Sequence, residues 1–187
     1  MVKVLVLFYS KTGNVAKLAK AVAEGAKSVE GVEVSLKQVP GSEISGVPTA
    51  TNQDLAEADG IAFGSPTRYG NMHHKMKEFI DGTGELWAKG ALENKVAGVF
   101  TSTGTLHGGQ ESTILTMIVP LFHFGMIILG VPYSEKRLFS LEVGGGSPYG
   151  PSSVSGPNAA RVPTENDLGI ARTLGKRIAE TVKKLHG

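Results

Sequence analysis

The sequence predicts an α/β fold, a doubly wound five-stranded parallel sheet with helices on both faces. Three observations point to it. Apolar runs of strand length alternate with segments of helical period, as in a sheet built from crossover units. Most of those runs are continuously apolar, as expected of strands covered on both sides. The chain has 187 residues, 41% of them hydrophobic, which is enough for one sizeable core and too little for two comfortable domains. Residues 1–187 are therefore read as one domain.

The first strand is Val4 to Phe8. Its apolar run begins at Val2 and passes straight into Tyr9-Ser10-Lys11-Thr12-Gly13 without a small-residue cleavage site, so it reads as a strand and not as a signal peptide. Val15, Leu18, Ala19, Val22, Ala23 and Ala26 follow at the spacing of one buried helix face. Val32 to Leu36 is an alternating strand, and Ile61 to Gly64, Val96 to Thr101 and Met126 to Leu129 are continuous ones. Leu168, Ala171, Leu174, Ile178, Val182 and Leu185 form the stripe of a closing helix, and Thr164 with Asp167 predicts a capping box at its start. Two stretches fall outside this scheme: Pro40 to Gln53, and a Gly/Pro/Ser-rich loop from Gly144 to Pro163. Loops of such length in a compact domain are usually functional lids or assembly surfaces.

Composition removes several chemistries. With no cysteine, the chain has no disulfide, thiolate nucleophile, Fe–S cluster or cysteine zinc site. Nineteen basic and 17 acidic side chains leave a net charge of +2, which gives no electrostatic footprint for nucleic acid or an anionic membrane. The apolar stretch from Ile114 to Val131 is interrupted by Pro120, His123 and glycines, so membrane insertion is not expected. A cytoplasmic protein is the expectation. No metal-ligand spacing emerges: His73 and His74 are adjacent on a predicted helix and are expected to face different directions. Arg161 and Arg172 have no local motif and read as solvated.

In an open α/β sheet, ligands bind beyond the carboxyl ends of the strands. After strand one come Ser10, Lys11, Thr12, Gly13, Asn14 and Val15, opening the first helix. Unpaired amides and the helix dipole there favour an anion such as phosphate, and a plain capped turn is the equal alternative. After strand three come Pro66, Thr67, Arg68, Tyr69, Gly70 and Asn71, a rigid turn bearing an aromatic ring and a guanidinium. After strand four come Ser102, Thr103, Gly104, Thr105, Leu106, His107 and Gly108, rich in amides and hydroxyls. Each loop alone reads as ordinary turn chemistry. Together on one rim they describe a site for a phosphate and a flat polar heterocycle, with reactivity supplied by a cofactor. By the residues alone, Trp87 is a packing residue and His123 a half-buried structural histidine.

At these residues the chain resembles the WrbA-type NAD(P)H:quinone oxidoreductases, a flavodoxin-like FMN family. The match runs nearly end to end. It is carried by Lys3 to Leu7 with the Ser10-to-Val15 loop, Phe63 to Met72, Leu86-Trp87-Ala88, Ser102 to Thr105 with Gly108 to Glu111, His123 before Gly125-Met126, and Gly145 to Gly150. The resemblance implies a flavodoxin-like strand order and non-covalent FMN, its phosphate on Ser10 to Val15. Thr67, Arg68 and Tyr69 would then contact the isoalloxazine and Ser102 to Gly108 close its other side. It further implies that His123 contacts flavin, that Trp87 lines the substrate side, and that the chain assembles as a tetramer of paired dimers. Two departures stand out. Thr12 occupies a place where better-known members carry tyrosine near the nicotinamide site, and Pro40 to Gln53 is shorter than the usual insertion.

The expected activity is two-electron reduction of quinones by NAD(P)H through FMN, with both substrates using one flavin face in ping-pong order. The alternative is a flavodoxin-like electron carrier serving a protein partner. Such carriers are strongly acidic around the flavin, which a net charge of +2 opposes. A phosphoacceptor receiver domain would need acidic residues where Tyr9-Ser10 and Gly64-Ser65 stand.

Overall fold

Side chains of β1 (Val2–Phe8) alternate between two cores. Val4, Val6 and Phe8 enter one, and Leu5, Leu7 and the following Tyr9 enter the other, all of them buried. Only a strand covered on both faces can bury every side chain, which is why its sequence is continuously apolar. The computed structural model describes residues 1–186. In chain order, β1 is followed by α1 (Asn14–Lys27), β2 (Val32–Gln38), α2 (Asn52–Glu57), β3 (Gly60–Arg68), β4 (Asn71–Met72), α3 (His74–Asp81), α4 (Gly84–Ala88), β5 (Val96–Thr103), α5 (Gln110–His123), β6 (Ile127–Ile128), β7 (Ser152–Val154) and α6 (Glu165–His186).

The main sheet runs β2-β1-β3-β5-β6, parallel throughout. The α1 and α6 helices pack on the face of Val4 and Val6, and α2, α3 and α5 on the face of Leu5 and Leu7. This is the doubly wound, flavodoxin-like order expected from the sequence. The capping box at α6 forms as expected: Asp167 accepts from the Thr164 N–H at 2.9 Å, and the Thr164 hydroxyl accepts from the Asp167 N–H at 3.1 Å.

Three expectations need correction. The fifth strand is split. Only Ile127 and Ile128 of Met126 to Leu129 pair with the start of β5, and β7 takes the same edge further along, at Thr101 to Thr103. The insertion within this strand position is residues 129–151, and the Gly144-to-Pro163 stretch is no single loop, because it carries β7 itself. Pro40 to Gln53 is also organised, because the buried Gln38 side chain donates to the carbonyls of Ile44 and Val47 and accepts from the Ile44 N–H. Finally, β3 extends through Arg68 and turns at Tyr69-Gly70 into antiparallel β4, so Pro66 to Arg68 belong to the strand, and Asn71 to the strand after the turn.

Candidate functional site

A cavity of about 520 Å³ opens at the carboxyl edge of the sheet, within the usual size of a small-molecule site. Its lining comes from Ser10, Lys11, Thr12, Asn14 and Val15 on one side, Pro66, Thr67 and Arg68 on a second, and Ser102, Thr103 and Gly104 on a third. All three predicted rims therefore meet around one space.

The first rim is shaped by Ser10, whose hydroxyl accepts from the N–H groups of Gly13 and Ala16 at 3.2 and 3.3 Å. That leaves the amides of Lys11, Thr12, Asn14 and Val15 with no acceptor among the described residues. Gly13 caps α1 at φ 91°, a left-handed backbone that glycine adopts without strain. With no acidic residue in the first turn of α1, the free amides and the helix dipole face an anion site without competition. This donor set fits the phosphate of a mononucleotide.

The second rim is braced from below. The Ser65 hydroxyl accepts from the His73 N–H at 2.8 Å, its carbonyl accepts from Thr101 Oγ1 at 2.7 Å, and Thr113 Oγ1 donates to Thr67 Oγ1 at 2.8 Å. These bonds fix the end of β3 against β5 and α5. The third rim is held by β7 and the residue after it, through Ser153 Oγ donating to Ser102 Oγ at 3.0 Å and Ser155 Oγ to the Thr103 carbonyl at 2.9 Å. Gly109, at φ 97°, lies so near the β3–β4 turn that a Cβ there would sit 2.8 Å from Gly70 Cα. A side chain at Gly109 would push the two loops apart.

His73 and His74 depart from expectation. His73 is the N-cap of α3, not an internal helix residue, so the helical angle between neighbours does not apply. Its ring stacks on Tyr9 at 4.0 Å and lies 4.3 Å from the ring of His74. Nδ1 of His73 accepts from the Lys75 N–H. Burial, and then the positive charges of His74, Arg68, Lys11 and Lys75, push the His73 pKa down to about 4. Two of those charges, Arg68 and Lys11, line the cavity.

Several predicted residues lie elsewhere. Tyr69 is fully exposed and, with Asn71 and Arg68, lines a larger outer cavity of about 790 Å³ beside α3. Leu106 and His107 line a separate cleft toward Arg137 and Glu142. Thr105, Gly70 and Gly108 serve as turn residues beside the site. His123 does not join the site within the chain. It is exposed at the far end of α5, a helix roughly 20 Å long that leads away from the rim at Gln110. Trp87 lies on short α4, is 60% exposed, and lines neither the site nor the outer cavity, so it is not a core residue.

Three lining residues escaped the sequence reading: Ser155, Asn158 and Ala159. Asn158 and Ala159 both have positive φ, 53° and 56°. The only signal was the length of the insertion that carries them. Arg161 anchors that loop instead of being solvated, donating to the carbonyls of Val154 and Val143. Arg172 pairs with Glu24 and Glu165.

The family model for NADPH-dependent FMN reductases matches residues 2–135. The chain belongs to this family. Relatives of this FMN reductase family member include proteins named NAD(P)H dehydrogenase (quinone) from Syntrophobacter fumaroxidans, 44% identical, and from Geotalea daltonii, 46% identical, each matched over 98% of both chains. Among solved structures, the flavodoxin, WrbA-like protein from Agrobacterium tumefaciens shares the fold with a TM-score of 0.72 at 22% identity, covering 98% of this chain and 99% of that one. A flavodoxin from the domain Archaea gives 0.70 at 25% identity, covering 97% and 99%. The WrbA-type resemblance and flavodoxin-like fold read from the sequence agree with these findings.

Proposed function

We propose that the protein is an FMN-dependent NAD(P)H:quinone oxidoreductase. The observation that carries this reading is the convergence of the free amides of α1 with the ends of β3 and β5 around one cavity. Lys11, Thr12, Asn14 and Val15 hold the phosphate of FMN. Thr67 and Arg68 face the ring from one side, and Ser102, Thr103 and Gly104 from the other. Gly70, Thr105 and Gly108 turn the loops beside the site, while Tyr69 and Asn71 line the outer cavity and Leu106 and His107 the separate cleft. Bound there, FMN supplies the capacity to take a hydride from NAD(P)H and to reduce a quinone. The protein's share is orientation and charge: Arg68 and Lys11 give the site a positive potential suited to a reduced, anionic ring.

The chain acts as a homo-oligomer in this reading, a dimer or tetramer. Leu115, Val119 and Phe122 are exposed along one face of α5, and Trp87 is exposed on α4. A second copy covering this face brings Trp87 and His123 toward the neighbouring copy's flavin, the roles that the family resemblance assigns them. The reading includes a cytoplasmic location, and no described helix is long and apolar enough to cross a membrane.

The second reading, an electron carrier, is favoured by the likeness to the archaeal flavodoxin. Its net charge of +2 weighs against docking on a basic partner. Initial rates at varied NAD(P)H and quinone distinguish the two. Parallel double-reciprocal lines are expected of the enzyme, and turnover only when a partner protein is added is expected of the carrier.

A further inference from the structure

The buried Ser42 lies in the Pro40-to-Gln53 stretch, 32 residues from Ser10 in sequence, yet it makes two bonds to that one residue. Its Oγ accepts from the Ser10 N–H at 3.1 Å and donates to the Ser10 carbonyl at 3.1 Å. Ser42 is itself held: its N–H donates to the Val39 carbonyl at 3.1 Å, and Gln38 ties down the following turn through its side chain and through the Ala50 N–H. Ser10 in turn organises the phosphate rim through its hydroxyl. A set of bonds therefore runs from Val39, just past β2, through Ser42 and Ser10 to the amides of Gly13 and Ala16 at the start of α1, and Gln38 holds the rest of the same loop.

We infer that Ser42 is a positioning residue for the cofactor phosphate, a latch that holds the Ser10-to-Val15 rim in its binding conformation. This rests on the assignment of that rim to the phosphate of FMN. Ser42 does not line the cavity, so it acts through Ser10 and not by contact with the ligand. With both main-chain groups of Ser10 engaged by one hydroxyl, the rim cannot shift without breaking two bonds at once. Losing them frees the main chain just where the unpaired amides must converge, which costs affinity for the phosphate and leaves the ring contacts intact.

The latch makes a specific distinction between two flavins. Riboflavin has the ring but no phosphate, so it does not use the rim. The test is a titration of the full-length chain, stripped of flavin, with FMN and with riboflavin, followed by quenching of flavin fluorescence. For Ser42→Ala, the Kd for FMN should rise by about tenfold while that for riboflavin stays within about twofold, and Ser42→Thr, which keeps the hydroxyl, should recover FMN binding. Ser42→Cys, near serine in volume with a weakly bonding thiol, gives the same comparison if the alanine variant does not fold. An unchanged Kd for FMN in folded protein, or equal weakening of both flavins, overturns the latch while leaving the phosphate assignment standing. A wild-type chain that binds riboflavin as tightly as FMN overturns that assignment and the role of Ser42 with it.

Discussion

Asn14 donates its side-chain amide to the carbonyl of Arg161 at 3.0 Å, joining the start of the first helix to a loop 147 residues later. Asn14 is buried, and both partners flank the cavity: Asn14 lines it, and Arg161 holds the turn containing Asn158 and Ala159. Replacing Asn14 with alanine leaves the Arg161 carbonyl without this donor. The expected cost is about 1–3 kcal/mol of stability, seen as a lower midpoint in thermal melts, together with faster FMN release.

Gly13 adopts φ 91°, and a Cβ added there would meet nothing within 4 Å. Any penalty for a side chain therefore comes from the backbone and not from a clash. Gly13→Val should weaken FMN binding by more than about 1.4 kcal/mol, a tenfold change. Gly13→Asn, which tolerates left-handed backbone, should lose less. Equal losses in flavin titrations of the two variants would contradict this explanation.

The sequence made the frame of the molecule legible because burial on both faces leaves continuous apolar runs such as Ile61 to Gly64 and Val96 to Thr101. The Thr164–Asp167 cap was equally readable, since it is local. The split fifth strand was not: Ile127–Ile128 is too short to show a period, and its continuation Ser152–Val154 comes only after the insertion. The three rims of the site were legible because they follow strands. Ser155, Asn158 and Ala159 were missed because Gly/Pro/Ser-rich chain looks like turn chemistry whether or not it faces a ligand. His73 was misread because its position just outside α3 depends on where the β3–β4 turn ends, which spacing alone does not reveal.

His73 also carries a pH dependence. Its folded pKa of about 4 lies below the ordinary 6.5, so the folded state prefers the neutral ring. Stability from this group is present above pH 6.5 and is lost as pH falls from about 6.5 toward 4, because the unfolded chain takes up the proton first. Between pH 7 and pH 5 the expected loss is about 2 kcal/mol. Urea denaturation at the two pH values should show this loss in the wild type and not in His73→Phe, which keeps a ring against Tyr9. Equal losses in both would refute it.

Trp87 separates packing from assembly. At 60% exposure, its replacement by alanine should change folding stability by no more than about 0.5 kcal/mol. If a neighbouring copy presents it to the flavin, the KM for quinone should rise by the equivalent of roughly 0.5–1.5 kcal/mol. Melts and steady-state kinetics on this one variant check both, and an unaltered KM would remove Trp87 from the substrate site.

An anaerobic absorption titration of the FMN-loaded protein, first with NAD(P)H and then with a soluble quinone, separates an enzyme from a carrier most directly. NAD(P)H alone should bleach the flavin band, with no other protein present, and one equivalent of quinone should restore it. A flavin band that NAD(P)H leaves unchanged, and that falls only when a separate reductase protein is supplied, would contradict the enzyme and identify a carrier.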